Sequence, residues 1–104
     1  LIGAFQQIIA RAHEHNIRVY GATITPCGGS FYFTPQLEAD RQAINKWIRT
    51  SGEFDGVIDF DAITRDPENP NHLLASVDGG DHLHPSNDGY KIMANDIDLK
   101  LFSK

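Results

Sequence analysis

Only two stretches of this chain have the length and composition of β-strands, and that limits what it can fold into. Ile17-Arg18-Val19-Tyr20-Gly21-Ala22-Thr23-Ile24 is short, rich in β-branched residues and stopped by Pro26. Gly56-Val57-Ile58-Asp59-Phe60 is the second. A helical pattern precedes each. Ile2, Phe5, Ile9 and Ala12, with Ile8 beside them, recur at helical spacing. That run is expected to end at His13–Asn16, because Asn tolerates the left-handed cap conformation. Leu37, Arg41, Ile44, Trp47 and Ile48 form a second amphipathic stripe over roughly Thr34 to Thr50, broken by Ser51-Gly52. Strands alternating with helices imply a parallel sheet covered on both faces. Two strands are too few for such a sheet to stand alone. The pattern therefore predicts part of a larger α/β domain.

The first residues point the same way. Leu1-Ile2-Gly3-Ala4-Phe5 already reads as helix, with no initiating Met, basic segment or apolar signal core. A truncated or processed chain is the expectation, and the sequence leaves the compartment undetermined. At 104 residues and 40% apolar content, one small core is within reach. The net charge of −5 argues against a nucleic-acid surface, and no apolar run is long enough to span a membrane. A lone cysteine, Cys27, excludes an internal disulfide and a zinc ribbon.

Pro26 to Pro35, with Gly28-Gly29-Ser30, reads as a loop. Asp61 to Pro85 reads as a long loop rich in Asp, Asn, Pro and Gly, a length usual for functional or disordered segments. From about Ser86 the chain turns helical, with Ile92, Met93, Ile97 and Leu101 as its apolar stripe. Both loops follow strands, so both fall at the carboxyl edge of the sheet, where open α/β sheets bind ligands.

The segment Gly80-Asp81-His82-Leu83-His84-Pro85, followed by Gly89-Tyr90 and an apolar helix, resembles the last block of SGNH (GDSL-like) hydrolases. Val19 to Pro26 is similar to that family's fourth strand and following loop, Ala43 to Arg49 to the next helix, and Val57 to Asp61 to the fifth strand. Thr25-Pro26-x-Gly28-Gly29, taken with the two later segments, looks most like the acetylxylan-esterase-like branch. The resemblance covers essentially all of residues 1–104. It implies the C-terminal half of a single flavodoxin-like, three-layer α/β/α hydrolase domain with a parallel sheet. It also implies ester hydrolysis without a cofactor or metal, on acetylated polysaccharide or, as the runner-up, on other acyl esters. The parent would fit a secreted or periplasmic setting.

In the family, the Asp and His of the catalytic triad lie three residues apart on this loop, which assigns those roles to Asp81 and His84. The Gly-Asp-Ser nucleophile block, and the Gly and Asn blocks that complete the oxyanion hole, have no counterpart here; in the family they precede the helix with which this chain opens. The expected partners are the ester substrate and either the N-terminal half of the same protein or further copies of this chain. Without the serine, the expectation for the 104 residues alone is no catalysis, because triad members act as a unit. A carbohydrate-binding module or an assembly fragment is the alternative.

The chemistry is that of a base activating a weak nucleophile. A histidine titrates near neutral pH and can take a serine proton. A carboxylate on its other nitrogen fixes the tautomer and stabilises the imidazolium. Other readings of individual residues stay open at this point. His82-x-His84, with Asp78, Asp81 and His72, has metal-ligand spacing. Asp59 and Asp61 rival Asp81 as the acid, although such residues more often cap turns. Ser30 lacks the context of a nucleophile elbow and reads as loop. Cys27 reads as a buried thiol and Trp47 as core. Asn87-Asp88-Gly89 is a hairpin signal by itself, but the resemblance puts it at the start of the last helix, with Gly89 allowing close packing. Tyr90 is expected behind the His84 loop.

Overall fold

The computed structural model describes residues 1–103. The element order is α1 (Ile2–Glu14), β1 (Tyr20–Ala22), α2 (Pro35–Thr50), β2 (Gly56–Ile58), α3 (Phe60–Thr64), β3 (Arg65–Asp66), β4 (Asn69–Leu73) and α4 (Asn87–Asp96), then a 3-10 turn at Leu99–Phe102. β1 and β2 pair in parallel with Tyr20, Gly21 and Ala22 opposite Gly56, Val57 and Ile58. This is the mixed α/β architecture with a parallel sheet that the alternation implied.

Both strands are shorter than their β-branched runs, because side chains take over the ladder. At the start of β1, the Asp55 carboxylate accepts from the Val19 amide at 2.7 Å, and Asp55 N–H donates to Val19 O at 2.8 Å. At its end, the Ile24 amide donates to Asn45 Oδ1 at 2.7 Å, and Asn45 Nδ2 donates back to Ile24 O at 2.9 Å. One buried amide on α2 thus does what a neighbouring strand would do. β2 stops where the Asp59 side chain caps α3 by accepting from the Ala62 amide, so Phe60 is helical rather than extended.

The helix signals are read as the sequence suggests. Asn16 takes the left-handed conformation (φ 58°) just past α1. Thr34 caps α2 through the Leu37 amide, with Pro35 at its first position. Ser86 caps α4 through the Gly89 amide at 3.0 Å. α4 is shorter than its stripe. Ile97 is its C-cap, and Leu101 belongs to the separate 3-10 turn, where its carbonyl accepts from the Tyr20 hydroxyl.

Residues 61–85 are not one open loop. They contain most of α3, the β3–β4 hairpin and a turn pinned to buried Val77. The enclosed core is small. Ile9, Cys27, Ile48, Leu73 and Val77 are its buried apolar side chains, and Arg41, Asp61, Asn45 and Thr64 are buried with them. Phe5 of α1 stacks on Trp47 of α2 at 6.3 Å between ring centres, and Phe54 meets Trp47 edge-on at 5.7 Å. Trp47 is therefore half-buried in an aromatic cluster at the margin of the core, on the inward side its place on the stripe implied.

Candidate functional site

The Asp78–Pro85 turn carries the residues of interest, and its backbone is fixed at both ends. Gly79 N–H donates to His84 O at 2.8 Å, and Ser86 N–H donates to Val77 O at 2.6 Å. Asp78 and Pro85 form an isolated antiparallel bridge. Between these ties the chain passes through two left-handed residues, Gly80 (φ 113°) and His82 (φ 61°). Gly89 lets α4 approach this turn. A Cβ there would stand 2.6 Å from Val77 O, which is the close packing expected of it.

Asp81 and His84 are brought together. His84 Nδ1 lies 2.6 Å from Asp81 Oδ2. The other carboxylate oxygen accepts the backbone amides of Leu83 at 3.0 Å and His84 at 2.8 Å. The hydrogen bond from the His84 ring, followed by these two amides, holds the Asp81 carboxyl well below the usual carboxylate range. An ionised carboxylate only accepts, so a proton sits on His84 Nδ1, and in the neutral imidazole that tautomer leaves the lone pair on Nε2. The His84 side chain is 70% exposed, so that nitrogen can meet a hydroxyl from outside the chain. The arrangement can hold an imidazole in one tautomer and orientation and offer its far nitrogen as a base.

The same turn holds a second pair that the sequence reading considered only as metal ligands. His82 Nδ1 lies 2.5 Å from Asp78 Oδ2. Asp78 Oδ1 accepts from the Gly80 amide at 2.8 Å and the His82 amide at 3.0 Å. Burial pushes the Asp78 carboxyl up, but these bonds outweigh it and the net direction is downward. The two imidazoles are thus divided between two carboxylates. Among the described residues, no group of three or more His, Cys, Asp or Glu is placed to hold a metal ion. The signal available in the sequence was Asp78-x-x-x-His82, interleaved with the Asp81-x-x-His84 spacing.

Asp59 and Asp61 lie elsewhere and do different work. Asp59 caps α3 and takes a two-point contact from Arg49, with Nε at 2.8 Å and Nη2 at 2.9 Å. Asp61, buried, accepts from Arg41 at 2.6 Å, Arg49 at 2.7 Å and Arg65 at 2.9 Å. Burial alone would raise its pKa; the hydrogen bonds from Arg49 and Arg41 bring it below the ordinary value. Among the described residues, neither carboxylate has a histidine partner.

Ser30 Oγ is buried without a hydrogen-bond partner, hence without a base to activate it, in keeping with its loop reading. Cys27 is a buried free thiol. Tyr90, expected behind the His84 loop, is 54% exposed on α4. A feature that sequence reasoning missed lies on the Pro26–Pro35 loop, where Phe31 and Tyr32 are exposed with ring centres 4.2 Å apart. Beside them opens a mostly apolar cavity of about 380 Å³ lined by Ile24, Cys27, Tyr32, Leu37, Ile44 and Leu83, with Thr25, Asp40 and Arg41 also at its wall; Leu83 precedes His84 in the chain. Its walls come from segments far apart in sequence, so no local pattern announces it.

Residues 2–92 match the profile of the GDSL-like Lipase/Acylhydrolase family. The crystal structure of a candidate acylhydrolase from Bacteroides fragilis superposes with a TM-score of 0.70 at 20% identity. The match covers 96% of this chain and 49% of that one, so the chain spans about half the length of that structure. At that identity the likeness speaks for the fold. No curated protein matches in sequence. The profile match takes in both strands of the parallel sheet, the β3–β4 hairpin, the turn with its two Asp–His pairs and the start of α4, and the chain belongs to the GDSL-like lipase/acylhydrolase family.

Proposed function

We propose that this chain supplies the Asp–His half of a serine ester hydrolase, with His84 as general base and then general acid, and Asp81 as its orienter. The observation that carries the reading is the 2.6 Å contact between His84 Nδ1 and Asp81 Oδ2, on the turn between the parallel sheet and α4. The serine and the oxyanion donors would come from an N-terminal half of the same protein. The 104-residue chain alone would then be inactive as an esterase. The substrate proposed from the branch resemblance is an acetyl ester on a polysaccharide.

One observation favours a second substrate class. The apolar cavity beside Leu83, at about 380 Å³, is far larger than an acetyl group needs, which suits a longer acyl ester. Another favours an assembly role for the isolated chain. Leu1, Ile8 and Ile17 are exposed at 67%, 56% and 57%, an apolar surface that a partner half or a second copy would cover.

The test is p-nitrophenyl ester hydrolysis by the protein carrying this chain with a Gly-Asp-Ser half, and by its His84→Ala variant. Loss of turnover in the variant, with the melting temperature retained, is the expected result. Unchanged turnover would sink the reading. Comparing acetyl with octanoyl esters separates the two substrate classes.

A further inference from the structure

The Asp78–His82 pair remains unused by the chemistry above, yet it is the better buried of the two. The Asp78 side chain is 12% exposed against 50% for Asp81. All three of its hydrogen bonds come from within the turn: the amides of Gly80 and His82 and the His82 ring. Its own amide is anchored to Leu74 O at 2.9 Å, which ties the turn to the segment after β4. Asp78 also bridges to Pro85, and its neighbour Gly79 holds His84 O.

His82 carries a left-handed backbone that a side chain with a Cβ rarely adopts. Two contacts to Asp78 hold it there, one from its amide to Oδ1 and one from its ring to Oδ2. Its ring also lies against the glycine loop after β1. A Cβ on Gly29 would be 3.4 Å from His82 Cδ2 and 3.1 Å from His72 Cε1. The ring of His82 thus has Asp78 on one side and that loop close by on another, and at 53% exposure it is less open than the ring of His84 at 70%.

We propose that Asp78 and His82 are positioning residues for the Asp81–His84 pair: their hydrogen bond closes the turn in the left-handed form that sets the main chain of His84. The proposal rests on the esterase reading above. In that reading, a base displaced by a fraction of an ångström still lets substrate bind but reacts more slowly.

The experiment uses the serine-bearing protein, assayed below the melting temperature of each variant. His82→Gly keeps the left-handed backbone free of strain and deletes the clasp. His82→Asn tolerates the same backbone and keeps an N–H for Asp78. The expected result is a fall in kcat of about tenfold for His82→Gly with KM within about twofold, and recovery of most of that loss in His82→Asn. The downfield proton resonance of the His84 Nδ1–H should broaden in the glycine variant and return in the asparagine one. Wild-type kcat in His82→Gly, while His84→Ala is dead, overturns the positioning role alone. A rise in KM with kcat unchanged also overturns it and makes His82 a substrate contact. Full activity in His84→Ala overturns the esterase reading and this proposal with it.

Discussion

Replacing Asp61 by asparagine should cost this chain more stability than any other single exchange of a polar side chain. Three carboxylates (Glu38, Asp59, Asp61) face three guanidiniums (Arg41, Arg49, Arg65), and Asp61 touches all three arginines. Arg49 and Arg65 are 29% and 38% exposed, so each can turn to water, and each contact is worth no more than about 1 kcal/mol. Arg41 has no such escape at 2% exposure. It keeps Glu38 at 2.7 and 2.8 Å and Ile24 O at 3.0 Å, and the amide oxygen can still accept from it, but the buried anion that balanced its charge is gone and the amide N–H groups then face the guanidiniums of Arg49 and Arg65. Breaking a buried pair from one side costs about 3–5 kcal/mol, and the surviving Glu38 contact places Asp61→Asn near 3. In a domain of this size that is a fall of roughly 12–24 °C in Tm. Chemical denaturation should show the midpoint moving with the m-value unchanged. Arg65→Ala is the control, at under about 1 kcal/mol. A loss under 1 kcal/mol for Asp61→Asn, or an equal loss for Arg65→Ala, would refute the claim that Arg41 is locked in place.

Other outcomes follow from named contacts. Asp81→Asn in the serine-bearing protein should lower kcat by on the order of 10⁴-fold, as loss of the orienting carboxylate does in triads, measured by ester turnover. Arg49, less the opposing effect of burial, holds the Asp59 carboxyl down at about 2 against an ordinary 3.8. A depressed folded pKa contributes stability that is complete above the ordinary value and lost as pH falls through the folded one. Acid titration of Tm should therefore show the Arg49–Asp59 contribution fading between about pH 4 and pH 2, and Asp59→Asn should flatten that window. Gly89→Ala gains about 1 kcal/mol of helix propensity but drives a Cβ to 2.6 Å from Val77 O, so a net loss of about 1–2 kcal/mol is expected by calorimetry. Ser86→Ala removes the cap of α4 and should cost about 1 kcal/mol in the same measurement.

Helices α1, α2 and α4 and the Asp81–His84 turn were legible because their signals are local. Thr34-Pro35, Asn16 and Ser86 act within one turn of chain, and Asp81 reaches His84 across three residues. The strand ends were not, because Asn45 and Asp55 reach in from other parts of the chain. The order within residues 61–85 was hidden for a similar reason. Arg41 bonds to Pro70 O, and Gly28 N–H to Asn71 O at 2.6 Å, so the β3–β4 hairpin is held by residues more than twenty positions away. The arginine cluster reads in the sequence as scattered surface charge, and only folding brings Arg41, Arg49 and Arg65 onto one carboxylate.

The single tryptophan has a use beyond packing. Trp47 is flanked by Phe5 from α1 and Phe54 from the approach to β2, with ring centres 6.3 and 5.7 Å away. Its indole emission therefore reads the docking of the first helix without any label. Separation of α1 would wet the ring and shift its fluorescence to the red, while the turn around His84 could stay intact. A spectrometer can then time the assembly of this end of the molecule independently of its chemistry.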